Sequence, residues 1–135
     1  MRPTRPFEGH HWLVEFTGAT GLADIDHIRR SLEEAVAAAS ATLLRLELHH
    51  FGPGFGVAGM ALLSESHISI HTWPEYSHAA IDLFMCGAKA RPARALAALE
   101  RAFRPNGVEI RRFVRGFNSP CPEPVADGQP LSVNG

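Results

Sequence analysis

Cysteine is scarce in this chain: Cys86 and Cys121 are the only two, and they lie far apart. That spacing is not a metal-type pair, and two cysteines make no disulfide framework, so reduced thiols in the cytosol are expected. An excess of one charge is also missing. Thirteen Lys and Arg stand against 14 Asp and Glu, a formal net charge of −1 with a pI near 6.7. This argues against the basic surface of a nucleic-acid binder and against a polybasic membrane patch. No apolar run approaches the ~20 residues of a membrane-spanning helix. The opening Met1-Arg2-Pro3-Thr4-Arg5-Pro6 is not followed by a long apolar stretch, so no secretory signal is expected. Internal linkers and low-complexity blocks are absent as well. What remains is 135 residues, 45% hydrophobic, the size and composition of a single domain with a real core.

Periodicity divides that domain into elements. His11 to Thr17 reads as a strand, broken by Gly18-Ala19-Thr20-Gly21. From Asp24, a candidate N-cap, Ile25, Ile28, Leu32, Val36 and Ala39 fall at helical spacing, with Arg29 and Arg30 on the polar side. Leu43 to Phe51 alternates, with Leu44, Leu46, Leu48 and His50 expected on one buried face. Gly52-Pro53-Gly54 turns the chain into Val57 to Leu63, a further strand. Ser66 to Thr72 follows, with Ile68 and Ile70 on one face and His67, Ser69 and His71 on the other. Pro74 ends it. Ala79 to Met85 alternates again, Pro92 opens a helix with the stripe Ala95, Leu96, Leu99, Ala102 and Phe103, and Val108 to Val114 is the last strand. The tail 117–135, with Pro120, Pro122, Pro124 and Pro130, is expected to be irregular. The order β-α-β-β-β-β-α-β predicts an α+β two-layer sandwich, an antiparallel sheet with two helices packed on one face.

The chemistry concentrates in residues 64–87, Ser-Glu-Ser-His-Ile-Ser-Ile-His-Thr-Trp-Pro-Glu-Tyr-Ser-His-Ala-Ala-Ile-Asp-Leu-Phe-Met-Cys-Gly. Ser66 offers a hydroxyl, His71 and His67 offer imidazoles that titrate near neutrality, and Cys86 offers a thiol. Each has an ordinary alternative. A serine at a strand end commonly makes a turn bond, a histidine on a strand face is commonly half-buried, and a cysteine ending an apolar strand commonly packs as a small hydrophobe. Phe51, Phe55, Trp73 and Tyr76 are core aromatics or a stacking surface. Glu75 is a turn carboxylate or a partner for paired hydroxyls. Asp82 reads as structural or as support for such a site.

This segment resembles the self-cleavage and active-site motif of the small bacterial and archaeal S-adenosylmethionine decarboxylases, which are pyruvoyl-dependent. Ser64 to Tyr76 and Ala79 to Phe84 stand as in that family, and Leu-Phe-Met-Cys-Gly is similar to its Phe-Thr-Cys-Gly. Gly9-His10-His11-Trp12-Leu13-Val14-Glu15-Phe16 is similar to its first strand, Gly-x-His-Leu-x-x-Glu-Phe. The likeness runs over residues 9 to 115 in element order and is specific in 64–87.

The resemblance implies a proenzyme cut between Glu65 and Ser66 into a 1–65 beta chain and a 66–135 alpha chain. Ser66 becomes a covalent pyruvoyl cofactor that forms a Schiff base with the substrate. It implies His71 as the processing base, where the residues alone do not choose between His71 and His67, and Cys86 as the proton donor. Phe51, Trp73 and Glu75 are the implied substrate-binding residues, the first two for adenine and Glu75 for ribose. No metal, nucleic acid or membrane is implied; the implied partners are S-adenosylmethionine and a second copy in a homodimer, and the implied pathway is spermidine synthesis. Two departures stand out. The family's Gly-Val-Ser-Gly is Gly56-Val57-Ala58-Gly59 here, and the loop Phe51-Gly52-Pro53-Gly54-Phe55 lacks the family's Leu-Pro-Tyr. They leave two alternatives: a pyruvoyl-dependent arginine or ornithine decarboxylase, and an unprocessed, non-catalytic subunit.

Overall fold

In a computed structural model describing residues 8–87 and 91–116, the alternating segments become strands and the 3.6-spaced segments helices. The order is β1 (Gly9–Thr17), α1 (Ile25–Ala38), β2 (Leu43–His50), β3 (Val57–Leu63), β4 (Ser66–Trp73), β5 (His78–Cys86), α2 (Pro92–Phe103) and β6 (Gly107–Arg115). A short 3-10 turn, Pro74–Tyr76, joins β4 to β5. The tail 117–135, Cys121 included, lies outside the described residues.

The strands form one antiparallel sheet in the order β2-β3-β4-β5-β1-β6. Two crossovers build it. α1 carries the chain from β1 to the far edge strand β2, and α2 carries it from β5 over β1 to β6. This is the expected α+β sandwich. Asp24 caps α1, its carboxylate accepting from the His27 N–H at 3.1 Å, a bond worth roughly 1 kcal/mol. Arg104, left-handed at φ 51°, ends α2 ahead of Pro105.

The helices bury Ile28, Leu32, Val36, Leu96, Leu99 and Phe103 against Val14, Phe16, Ile68, Ile70, Leu83 and Ile110 of the sheet. Each such side chain contributes roughly 1.5–3 kcal/mol on burial. One expectation needs correction. Leu44 is not on the buried face; it is 61% exposed. The β2–β3 register shifts between Leu43 and Arg45, and the extra residue of this irregularity puts Leu43, not Leu44, against the core. Among the described residues, no helix is long and apolar enough to cross a membrane.

Among the described residues, no helix covers the second face of the sheet. Alternation places His67, Ser69, His71, Asp82, Phe84, His11 and Glu15 there, together with the exposed Leu13, Met60 and Leu62. Cys86 alternates onto this face as well, while Ser66 alternates onto the core face with Ile68 and Ile70.

Candidate active site

The β3–β4 hairpin turns through two residues, Ser64 and Glu65, since Leu63 pairs with Ser66. Glu65 is left-handed at φ 62°. A residue with a Cβ held there stores roughly 1–2 kcal/mol, immediately before the Glu65–Ser66 peptide. Ser66 is buried, and its Oγ accepts the backbone N–H of Cys86 at 3.0 Å. Thus β4 and β5 bring together two groups that are 20 residues apart in sequence. Cys86 is a free, half-buried thiol. Burial pushes its pKa up, the Glu65 charge pushes it further, and the Arg115 guanidinium opposes both. The net effect is a raised pKa, which favours the protonated thiol, the form that can give a proton.

A second constellation lies at the other end of β4. Phe51, Phe55, Gly56, Val57, His71, Thr72, Trp73 and Glu75 line a cavity of about 340 Å³. Buried Thr72 builds its floor. The Thr72 hydroxyl accepts from the Val57 N–H at 2.8 Å and donates to the Leu22 carbonyl at 2.7 Å. Gly56 must lack a side chain here, because a Cβ would come within 1.9 Å of the Thr72 carbonyl oxygen. Trp73 stacks on His71, with ring centres 6.1 Å apart and planes at 23°. Across the β4–β5 ladder it meets His78 at 5.9 Å, whose Nε2 donates to Glu15 at 2.6 Å. Ala58 pairs directly with His71 across the β3–β4 ladder.

The site residues expected from sequence therefore form two groups. Ser66, Glu65 and Cys86 meet at one end; Phe51, Trp73, Glu75 and His71 meet at the other. His71 is not beside Ser66 of its own chain. Five residues of strand at ~3.3 Å each separate them by roughly 17 Å, and alternation points them to opposite faces.

One cluster escaped the sequence reading. His11, His67 and Asp82 bring metal-type donor atoms within 4.8 Å of one another, each half-buried. Their hydrogen bonds fix the proton positions. Arg115 Nη1 lies 3.1 Å from His11 Nδ1, and because a guanidinium has no acceptor, Nδ1 must accept. The His11 proton is then on Nε2, which donates to Asp82. His67 Nε2 donates to the other carboxylate oxygen at 3.1 Å, and the Ser69 hydroxyl approaches it at 3.4 Å. As arranged, the ring nitrogens facing Asp82 are hydrogen-bond donors to it. Polar residues at alternate positions of β1, β4 and β5 were its only sequence signal.

Comparisons with known proteins place the chain in a family. The family profile described as S-adenosylmethionine decarboxylase matches residues 10–116. The S-adenosylmethionine decarboxylase proenzyme of Thermomicrobium roseum is 42% identical over 109 residues, 81% of this chain and 94% of that protein. The proenzyme of Methanococcus maripaludis is 42% identical over 111 residues, 81% of this chain and 90% of that protein. The crystal structure of the Aquifex aeolicus adenosylmethionine decarboxylase superposes with a TM-score of 0.75 at 32% identity, covering 82% of this chain and 92% of that one. On both sequence and fold, the chain belongs to the S-adenosylmethionine decarboxylase family.

Proposed function

We propose that this chain is a self-processing decarboxylase of S-adenosylmethionine, cut between Glu65 and Ser66 into a 1–65 beta chain and a 66–135 alpha chain. The observation that carries the proposal is the strained Glu65 turn followed by a Ser66 hydroxyl held by the Cys86 N–H. Ser66 Oγ attacks the Glu65 carbonyl and the amide becomes an ester. A base removes the Ser66 Cα proton, the Glu65 carboxylate leaves, and the dehydroalanine loses ammonia to water, giving the pyruvoyl group. That Ser66 sits at the first residue of β4 fits this group, because the cut leaves the cofactor at a chain end without breaking a strand.

Once formed, the pyruvoyl carbonyl supplies the electron sink for decarboxylation. The chain's own residues do the rest. Phe51 and Trp73 stack the adenine and face the sulfonium charge. Glu75 accepts from the ribose hydroxyls. Cys86 gives its proton to the substrate α-carbon after carbon dioxide leaves, and the raised thiol pKa suits that task. The product is the aminopropyl donor for spermidine synthesis, made in the cytosol where thiols stay reduced.

The roughly 17 Å between Ser66 and His71 supports a homodimer. Two sheets stacked on their helix-free faces about a two-fold axis lay the His71 end of one protomer on the Ser66 end of the other. His71 of the partner subunit then serves as the base. The exposed Leu13, Met60 and Leu62 supply apolar area for that contact. The names of the relatives favour S-adenosylmethionine over arginine or ornithine as substrate.

Intact mass spectrometry tests the processing. Two fragments are expected, the second blocked by pyruvoyl, and Ser66→Ala should remain whole. An uncut wild-type chain with full activity sinks the proposal. Carbon dioxide release should come chiefly from S-adenosylmethionine when it, arginine and ornithine are offered separately. Preference for either amino acid overturns the substrate and leaves the cofactor chemistry standing.

A further inference from the structure

The β5–β1–β6 ladders set Cys86, Gly9 and Arg115 in one row, with Gly9 pairing to both. Gly9 is buried, and its φ does not demand glycine. The demand is one of space. A Cβ at Gly9 would come 2.6 and 2.8 Å from Cε1 and Cζ of Phe84 and 3.0 Å from Cys86 Sγ. The Phe84 ring therefore lies across Gly9 with the thiol beside it. The ring has little freedom to give way. His11 meets it edge-on at 5.2 Å, His67 lies at 5.6 Å, and the Arg115 guanidinium stands over it at 4.9 Å. Asp82 ties both imidazoles, and Arg115 holds the far side of His11.

We propose that Gly9 and Phe84 form a seat for the Cys86 thiol, clamped by the Asp82-tied imidazoles, and that Gly9, Phe84 and Asp82 are positioning residues for the protonation step. This rests on the reading of Cys86 as proton donor.

The seat would decide where a proton lands. When carbon dioxide leaves, the electron pair it releases can take the thiol proton at the substrate α-carbon. That yields the amine product and a thiolate that solvent reprotonates. If the pair is protonated instead at the carbon derived from Ser66, hydrolysis releases an aldehyde. The substrate nitrogen then stays behind as the amine of an N-terminal alanine, and the cofactor is spent. A thiol held over one carbon favours the first outcome.

Two measurements read this. On processed protein, Gly9→Ala should raise alanine formed per turnover at least tenfold, scored by the mass of the 66–135 fragment. On unprocessed Ser66→Ala/Cys121→Ser protein, where no cofactor exists, Gly9→Ala and Phe84→Leu should each change iodoacetamide alkylation of Cys86 at least threefold. Asp82→Asn should shift both readouts less. Because the added methyl strikes the Phe84 ring, Gly9→Ala should do less harm in a Phe84→Leu background than in wild type. Unchanged alkylation and unchanged partition in Gly9→Ala would overturn the seat, as would strict additivity of the double variant. Should Gly9→Ala fail to fold, Phe84→Leu decides alone: an unchanged alkylation rate removes the seat. Cys86→Ala separates the two claims. If it forms no extra alanine, the proton-donor reading itself fails; if it does and Gly9→Ala does not, only the seat fails.

Discussion

The two ends of β4 differ in what they carry and in how they are built. The Ser66 end holds a left-handed turn, a buried hydroxyl and a thiol whose pKa is raised by burial, the groups to which we assign cleavage and protonation. The His71 end holds an imidazole, an aromatic wall and a carboxylate around an open cavity, and its residues are largely exposed. Neither end is a complete site. On the proposed roles, one end would cut and protonate without His71 beside it, and the other would bind and deprotonate without the Ser66 group. A single strand thus separates by its own length two groups that the proposed chemistry needs together, which is why we propose a site shared between two chains.

The most direct way to break this comparison is to disable one end in each of two chains. His71→Ala alone should process slower by roughly 10²–10⁴-fold, the range for a positioned acid–base group. Ser66→Ala alone should not process at all. Co-expressed with different tags, they form mixed dimers with one intact pairing of ends. In those, the His71→Ala chain should be cut and the Ser66→Ala chain should stay whole. If the His71→Ala chain processes at the wild-type rate by itself, the base has been misassigned and His67 is the next candidate. If mixing rescues nothing, the two ends do not meet across an interface.

The sheet face under the helices was legible from sequence because its signal is local. Ile68 and Ile70 alternate against His67, Ser69 and His71, and the stripes of α1 and α2 repeat at helical spacing. Asp24 announced the start of α1 in the same way. What lies across the sheet was not legible. His11 meets Asp82 over 71 residues of sequence, and His78 meets Glu15 over 63. Such pairs follow from strand order and register, which no local pattern contains. The register irregularity that exposes Leu44 is invisible for the same reason. Motif adjacency is not spatial adjacency: on a strand, Ser-His-Ile-Ser-Ile-His runs from one end of β4 to the other.

Ala58 sharpens the contrast at a smaller scale. It pairs with His71 and so belongs to the base end. Ala58→Ser adds a hydroxyl donor beside that base, where the oxyanion of the partner's acyl shift would develop. Processing should speed up by roughly 10²-fold, the worth of one such donor. In mixed dimers the gain should appear on the chain that faces the serine, not on the chain that carries it. Unchanged or slower processing would mean that another donor already fills the position.

The smallest effect belongs to the turn itself. Glu65 at φ 62° stores roughly 1–2 kcal/mol that glycine would not. If that strain is released as the Glu65 carbonyl becomes tetrahedral, Glu65→Gly removes part of the drive for the acyl shift. Each 1.36 kcal/mol changes a rate about tenfold, so processing should slow by about tenfold. The same relief should stabilise the precursor, offset in part by the greater freedom of glycine in the unfolded chain. Glu65→Gly therefore predicts slower cleavage with equal or higher precursor stability, read by intact mass over time and by urea unfolding in a Ser66→Ala background. Loss of the Glu65 charge also removes one cause of the raised thiol pKa, and Glu65→Gln, which keeps the Cβ and the strain, controls for it. Glu65→Gln processing as slowly as Glu65→Gly would assign the effect to charge. Wild-type rates in both would show that the left-handed turn positions the scissile bond without contributing energy to its cleavage.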